Sequence, residues 1–312
     1  MRSNETRPNG RFYGVSAGLL AAALSLILGC QGILPFRGVG RKDDRRPELG
    51  REGVAAFEAG NYDLAAEKFA QAIKSDENDL LSRRYYGEIL WRDGKKNEAI
   101  RVLSDAAGRE GTAEDRAAVC ESLAEKFLES DRAASALHYA DKIIELTPRR
   151  YKGWQLRAMV CQQIGKKDEA LTDYHRALQL APGDKDLIRS LAVLEGELGD
   201  DRAALAVWEE LGRLYPSREQ PIDVLLGKAE ACRHLGRGRQ AADCYAAAVE
   251  RDPDDPALYR TLAEIHLENG DSDAARRIAA IAAERFPDSR DMAALPARVD
   301  EVAARESASG VK

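Results

Sequence analysis

The sequence is poor in the features that would mark it as an enzyme, a disulfide scaffold or a nucleic-acid binder. Aromatic residues make up only 6% of its 312 positions and cysteines number five. So few cysteines do not build a disulfide framework. The formal net charge is −6, without the basic excess that phosphate binding favours, and no nucleic-acid partner is expected. There is no glycine-rich phosphate loop, nucleophile elbow or HExxH pattern, so no catalytic residue, cofactor or small-molecule substrate is inferred. What the chain has instead is alanine, 51 residues or about one in six, with 44% hydrophobic and 32% charged residues overall. Much alanine with few aromatics excludes a β-sandwich or barrel and points to close-packed helices.

Residues 1–11 carry Arg2, Arg7 and Arg11 against Glu5, and an apolar run from Val15 to Leu28 leads into Gly29-Cys30. A basic start, a short apolar stretch and a small residue at its end describe an export signal over residues 1–29. Leu26-Ile27-Leu28-Gly29-Cys30 resembles the lipobox of bacterial lipoproteins, in which the cysteine carries lipid. The resemblance implies lipidation of Cys30, a membrane-anchored chain in the bacterial envelope facing the periplasm and, from Gln31 at the next position, sorting to the outer membrane. Phe12 to Cys30 is also 19 residues, near the ~20 of a membrane span, so an uncleaved anchor is one alternative and a plain secretory signal the other. Residues 30–45 then read as a flexible basic tether, broken by Gly32, Pro35, Gly38 and Gly40.

The rest repeats. Gly60-Asn-Tyr-Asp-Leu-Ala65 recurs 34 residues on as Gly94-Lys-Lys-Asn-Glu-Ala99, and again at Gly165, Gly199, Gly236 and Gly270. A seventh copy, Asp131 to Ala136, has lost the glycine. Two steps are 37 residues long. With the recurring alanine numbered 20, position 8 is always Gly or Ala, and a proline at position 32 closes the last five copies. This pattern resembles the tetratricopeptide repeat (TPR) family. The resemblance implies an all-α protein, an α-solenoid of about seven helix hairpins forming a right-handed superhelix. The repeats fall at about 46–79, 80–113, 117–150, 151–184, 185–218, 222–255 and 256–289, followed by a capping helix over 290–305 and a loose tail over 306–312.

In that family the first helices line a concave groove through positions 2, 5, 9, 12 and 13. Those positions here include Phe57, Arg84, Glu88, Trp91 and Arg92, then Glu121, Glu125 and Glu129, and Met159. The lining is acidic in the third repeat with apolar spots, which suits an extended peptide or a partner's helix. Trp91 reads either as a binding anchor or as packing against the next repeat. Trp154 and Trp208 fall on core positions 4 and 24. The family's carboxylate clamp of lysines and asparagines is missing, with no asparagine at position 9. Cys120, Cys161 and Cys232 fall at inward positions as small apolar filler, and Cys232, His234 and Cys244 lack the spacing of a structural zinc site, so no metal is expected. The expected function is a non-enzymatic, membrane-tethered adaptor that binds a protein partner in its groove, in assembly of an envelope complex. An accessory role beside polysaccharide export or peptidoglycan enzymes is the alternative.

Overall fold

The computed structural model describes residues 46–216 and 219–309. The expected signal, Cys30 and the tether to residue 45 lie outside the described residues. Those described form fifteen α-helices and no strand. They pair as α1(Arg46–Glu58) with α2(Tyr62–Ser75), α3(Leu80–Arg92) with α4(Lys96–Ala107), and α5(Ala113–Leu128) with α6(Ala133–Leu146). Next come α7(Tyr151–Gln163) with α8(Lys167–Leu180), α9(Lys185–Leu198) with α10(Asp201–Arg213), α11(Ile222–His234) with α12(Gly238–Arg251), and α13(Pro256–Glu268) with α14(Ser272–Arg285). α15(Arg290–Ser309) ends the stack. Each helix packs on its neighbours in sequence, and several first helices also touch the next first helix, as α3 touches α5 and α5 touches α7. The fold is an α-solenoid.

Close helix approach explains the two small positions. Position 20 is alanine in every copy, from Ala65 to Ala275, and all seven are buried. Position 8 is equally enclosed. A Cβ on Gly53 would stand 2.6 Å from the Phe69 ring, and one on Gly87 would stand 2.7 Å from Leu103. Both neighbours occupy position 24 and are fully buried, so neither can retreat. Trp208, at the same position of the fifth repeat, is buried too, and its ring fills the space beside Gly227. Trp154 is only half-buried; its Nε1 donates to the Pro148 carbonyl at 3.1 Å. In the fourth hairpin, Arg157 holds buried Asp173 by two hydrogen bonds of 2.7 and 2.6 Å.

The turn inside each hairpin is built alike. Gly60, Gly94, Gly165, Gly199, Gly236 and Gly270 all have positive φ, between 69° and 80°. The amide after each donates back to the fifth residue before it, as Asn61 N–H does to Ala56 at 2.8 Å, which closes the helix end. The third copy makes the same closure without glycine. Asp131 takes φ 54°, and Arg132 N–H donates to Phe127 at 2.8 Å.

One 37-residue step is absorbed by helix. α5 starts at Ala113, ahead of position 117, and Thr112 caps it by accepting from Asp115 N–H at 3.1 Å. Asp255, in the acidic turn before α13, likewise accepts from Ala257 N–H at 2.8 Å. The tail differs from expectation. α15 continues past residue 305 to Ser309, because its alanines, Arg305 and Glu306 favour helix and no breaker stands before Gly310. α15 buries Met292, Leu295, Val299 and Ala303 against the last hairpin.

Asp131 is held in a conformation that costs an L-residue free energy and glycine little. Asp131→Gly should therefore raise stability by about 0.5 kcal/mol despite losing an exposed hydrogen bond from Gln163, read as a higher urea midpoint.

Candidate functional site

The residues singled out on the first helices divide into those the solenoid uses for its own cohesion and those it leaves open. Phe57 belongs to the first kind. Its ring meets Tyr62 and Tyr85 edge-on at 5.3 and 5.1 Å. Arg92 lies 3.4 Å above the Tyr62 ring and Arg84 4.5 Å above Tyr85. These five form one aromatic–cation cluster joining the first two repeats.

The second and third repeats are tied by a residue that the groove positions do not include. Lys126 is buried, with its ammonium 2.8 Å from Glu88 and 3.6 Å from Glu129. Trp91 Nε1 donates to Glu129 at 2.7 Å, and the Lys126 and Lys96 ammonium groups stand 5.6 and 5.0 Å from its ring centroid. Burial lowers the Lys126 pKa, but the hydrogen bond and charge of Glu88, with Glu129, outweigh it and the net shift is upward. Trp91 thus packs across the repeat boundary. The signal for Lys126 was a lysine three residues before Glu129 on one helix, but only the fold brings Glu88 to it from 38 positions away.

The pattern continues along the stack. Arg150 Nε donates to Glu121 at 3.0 Å, and Gln163 to Asp131 at 2.8 Å. Gln162 donates to Glu197 at 3.1 Å, and Arg233 to Glu268 at 2.7 Å. With Arg189 donating to Asp223, each step from the second repeat to the seventh is stitched by polar pairs between first helices.

Two of the nine candidates escape this stitching. Met159 on α7 is 39% exposed, and Val193, at the same repeat position on α9, is 43% exposed. Glu125 on α5 is half-buried, and its carboxylate takes part in no hydrogen bond or ion pair. Burial pushes its carboxyl above the ordinary range, reinforced by the charges of Glu121 and Glu88 and only partly offset by Lys126 and Lys152. Glu125, Met159 and Val193 all stand at position 9 of successive repeats. Among the described residues no three histidines, cysteines or acids come together to hold a metal ion. No helix of the described residues is long and apolar enough to cross a membrane. Cys120, Cys161, Cys232 and Cys244 are free thiols, the first three buried.

The raised pKa makes a stability prediction with a definite sign. A carboxyl whose folded pKa lies above its unfolded value binds more protons when folded, so its charged form costs stability at neutral pH. Glu125→Gln should raise the urea midpoint at pH 7. The gain should shrink as pH falls through the folded pKa and vanish below the unfolded one.

A tetratricopeptide repeat family model matches residues 89–286, and a second matches residues 51–114. A TPR repeat-containing protein of Rhizobium etli is 27% identical over 94 residues, 30% of this chain and 46% of that one. The chain spans less than half the length of the curated relatives it matches. Among solved structures, PilW, described as a widely conserved type IV pilus biogenesis factor, superposes with a TM-score of 0.62 at 17% identity, over 71% of this chain and 100% of that one. PilF of Pseudomonas aeruginosa gives 0.61 at 16% identity, over 71% and 98%. Seven stacked hairpins, the small residues at positions 8 and 20, and family models spanning most of the repeats lead to one assignment: the chain belongs to the tetratricopeptide repeat family.

Proposed function

We propose that this protein is a non-enzymatic adaptor, tethered to a bacterial envelope membrane through lipid on Cys30, that receives a segment of a protein partner on the groove face of its first helices. The observation that carries the groove reading is the open row at position 9. The solenoid satisfies almost every other candidate internally, yet leaves Glu125 unpaired and Met159 exposed on adjacent first helices. A non-obligate interface combines such apolar and charged spots on a rigid scaffold. The tether rests on the lipobox-like tail ending at Cys30. Anchoring would raise the effective concentration of membrane-bound partners. The fold likeness to PilW makes assembly of a pilus or a comparable envelope machine the first place to look for that partner.

Both halves are testable in one strain set. Cross-linked pull-down with the full-length chain should capture a partner that the Glu125→Arg, Met159→Asp double variant loses at least tenfold, at equal expression and helicity. Equal capture by the variant would move the interface off the groove. Wild type should incorporate labelled palmitate and Cys30→Ser should not; equal labelling would remove the lipid anchor.

A further inference from the structure

The sixth hairpin carries two thiols, and the geometry of the repeat turns them toward each other. Cys232 stands at position 11 on α11 and Cys244 at position 23 on α12, and no other repeat has cysteine at both positions. Both are free; Cys232 is buried and Cys244 half-buried.

Other hairpins show how these two positions meet. In the third they hold Phe127 and Tyr139, whose rings stack 5.6 Å apart. In the fourth they hold Cys161 and Asp173, which line one cleft. Residues four apart share a helix face, so positions 7 and 11 form one ridge and positions 19 and 23 the facing one. Arg157 at position 7 reaches Asp173 at position 23, and the Cys161 sulfur lies 3.9 Å from Glu169 at position 19. The sixth hairpin keeps this register. The Cys232 sulfur lies 3.9 Å from Oε1 of Gln240, which is one turn before Cys244 on the same face of α12. The two thiols also share an electrostatic environment. Burial pushes both above the ordinary cysteine range, and Cys232 pushes Cys244 further. Lys228, at position 7, favours the thiolate of both, and Glu209 opposes it. A disulfide asks its two Cα atoms to stand about 4.4–6.8 Å apart. Close approach at Ala229 and Ala241, both fully buried at positions 8 and 20, draws α11 and α12 toward that spacing.

We propose that Cys232 and Cys244 are a redox modification site, which a low-molecular-weight disulfide oxidises to a bridge within the sixth hairpin. The half-buried Cys244 reacts first. Its thiol gives a proton to solvent, and the thiolate attacks one sulfur of the oxidant. That S–S bond breaks and releases one small thiolate, which takes up a proton. Cys232 then loses its proton and attacks the Cys244 sulfur, expelling the second small thiol. Two protein thiols are thereby oxidised to one disulfide, and one small disulfide is reduced to two thiols. Cys161 has no such partner, because Asp173 stands at its position 23. The bridge ties α11 to α12 and stabilises the hairpin by constraining the unfolded chain. It stands independently of the groove and of the tether.

The test exposes the reduced full-length chain in detergent to oxidised glutathione at about pH 8.5, where thiols begin to ionise. The chain is then alkylated in urea and digested with trypsin, which cuts after Arg233, Arg237 and Arg239 and so separates the two cysteines. Mass spectrometry should find the Cys232 peptide joined to the Cys244 peptide, with Cys120 and Cys161 alkylated. The oxidised protein should unfold at a higher urea concentration than the reduced one, and Cys244→Ser should abolish that difference. Full alkylation of Cys232 and Cys244 after oxidation, glutathione retained on Cys244 as the final product, or a bridge that forms only when urea is present during oxidation would each overturn the proposal.

Discussion

The structure depends on how closely the two helices of each hairpin approach. At positions 8 and 20 nothing larger than alanine is present, and a methyl group on Gly53 or Gly87 would already strike the side chain at position 24. Close approach at these two points lets the larger residues at position 24, such as Phe69, Leu103 and Trp208, bury themselves between helices. A hairpin alone leaves its outer faces bare, so stability comes from stacking, and α15 ends the stack by covering the last hairpin with Met292, Leu295 and Val299.

A stack of this kind needs cohesion between its repeats as well as in its core, and residues of the first helices supply it. Lys126 binds Glu88 across a repeat boundary, Arg150 binds Glu121, and Trp91 is held to Glu129. A side chain used in this way is pre-oriented and less free to rearrange for a ligand. The same carboxylates that look like an acidic binding surface are therefore mostly neutralised from within. Glu125 is the exception, and its environment disfavours its charge. A carboxylate in such surroundings costs the folded protein stability at neutral pH.

The turns show how far local chemistry can be replaced. Six hairpins use glycine in the left-handed conformation, whereas Asp131 adopts it with a side chain and still closes the helix through Arg132. The rest of the hairpin over-determines the turn, so loss of one glycine did not change its geometry.

By itself the sequence determined the repeat. The 34-residue recurrence, the small residues at positions 8 and 20 and the turn glycines are local and periodic, so they specify helix hairpins and their stacking without knowledge of any distant contact. It also placed Glu125 and Met159 at the same position of successive repeats. The tertiary structure alone decided which groove residues are already taken. Phe57, Arg84 and Arg92 go to an aromatic cluster, and Trp91, Glu88, Glu121 and Glu129 to cross-repeat pairs. Those partners lie about one repeat away in the chain, as Lys126 does from Glu88. Position within a repeat says which way a side chain faces, but only the register between neighbouring repeats says what it meets there.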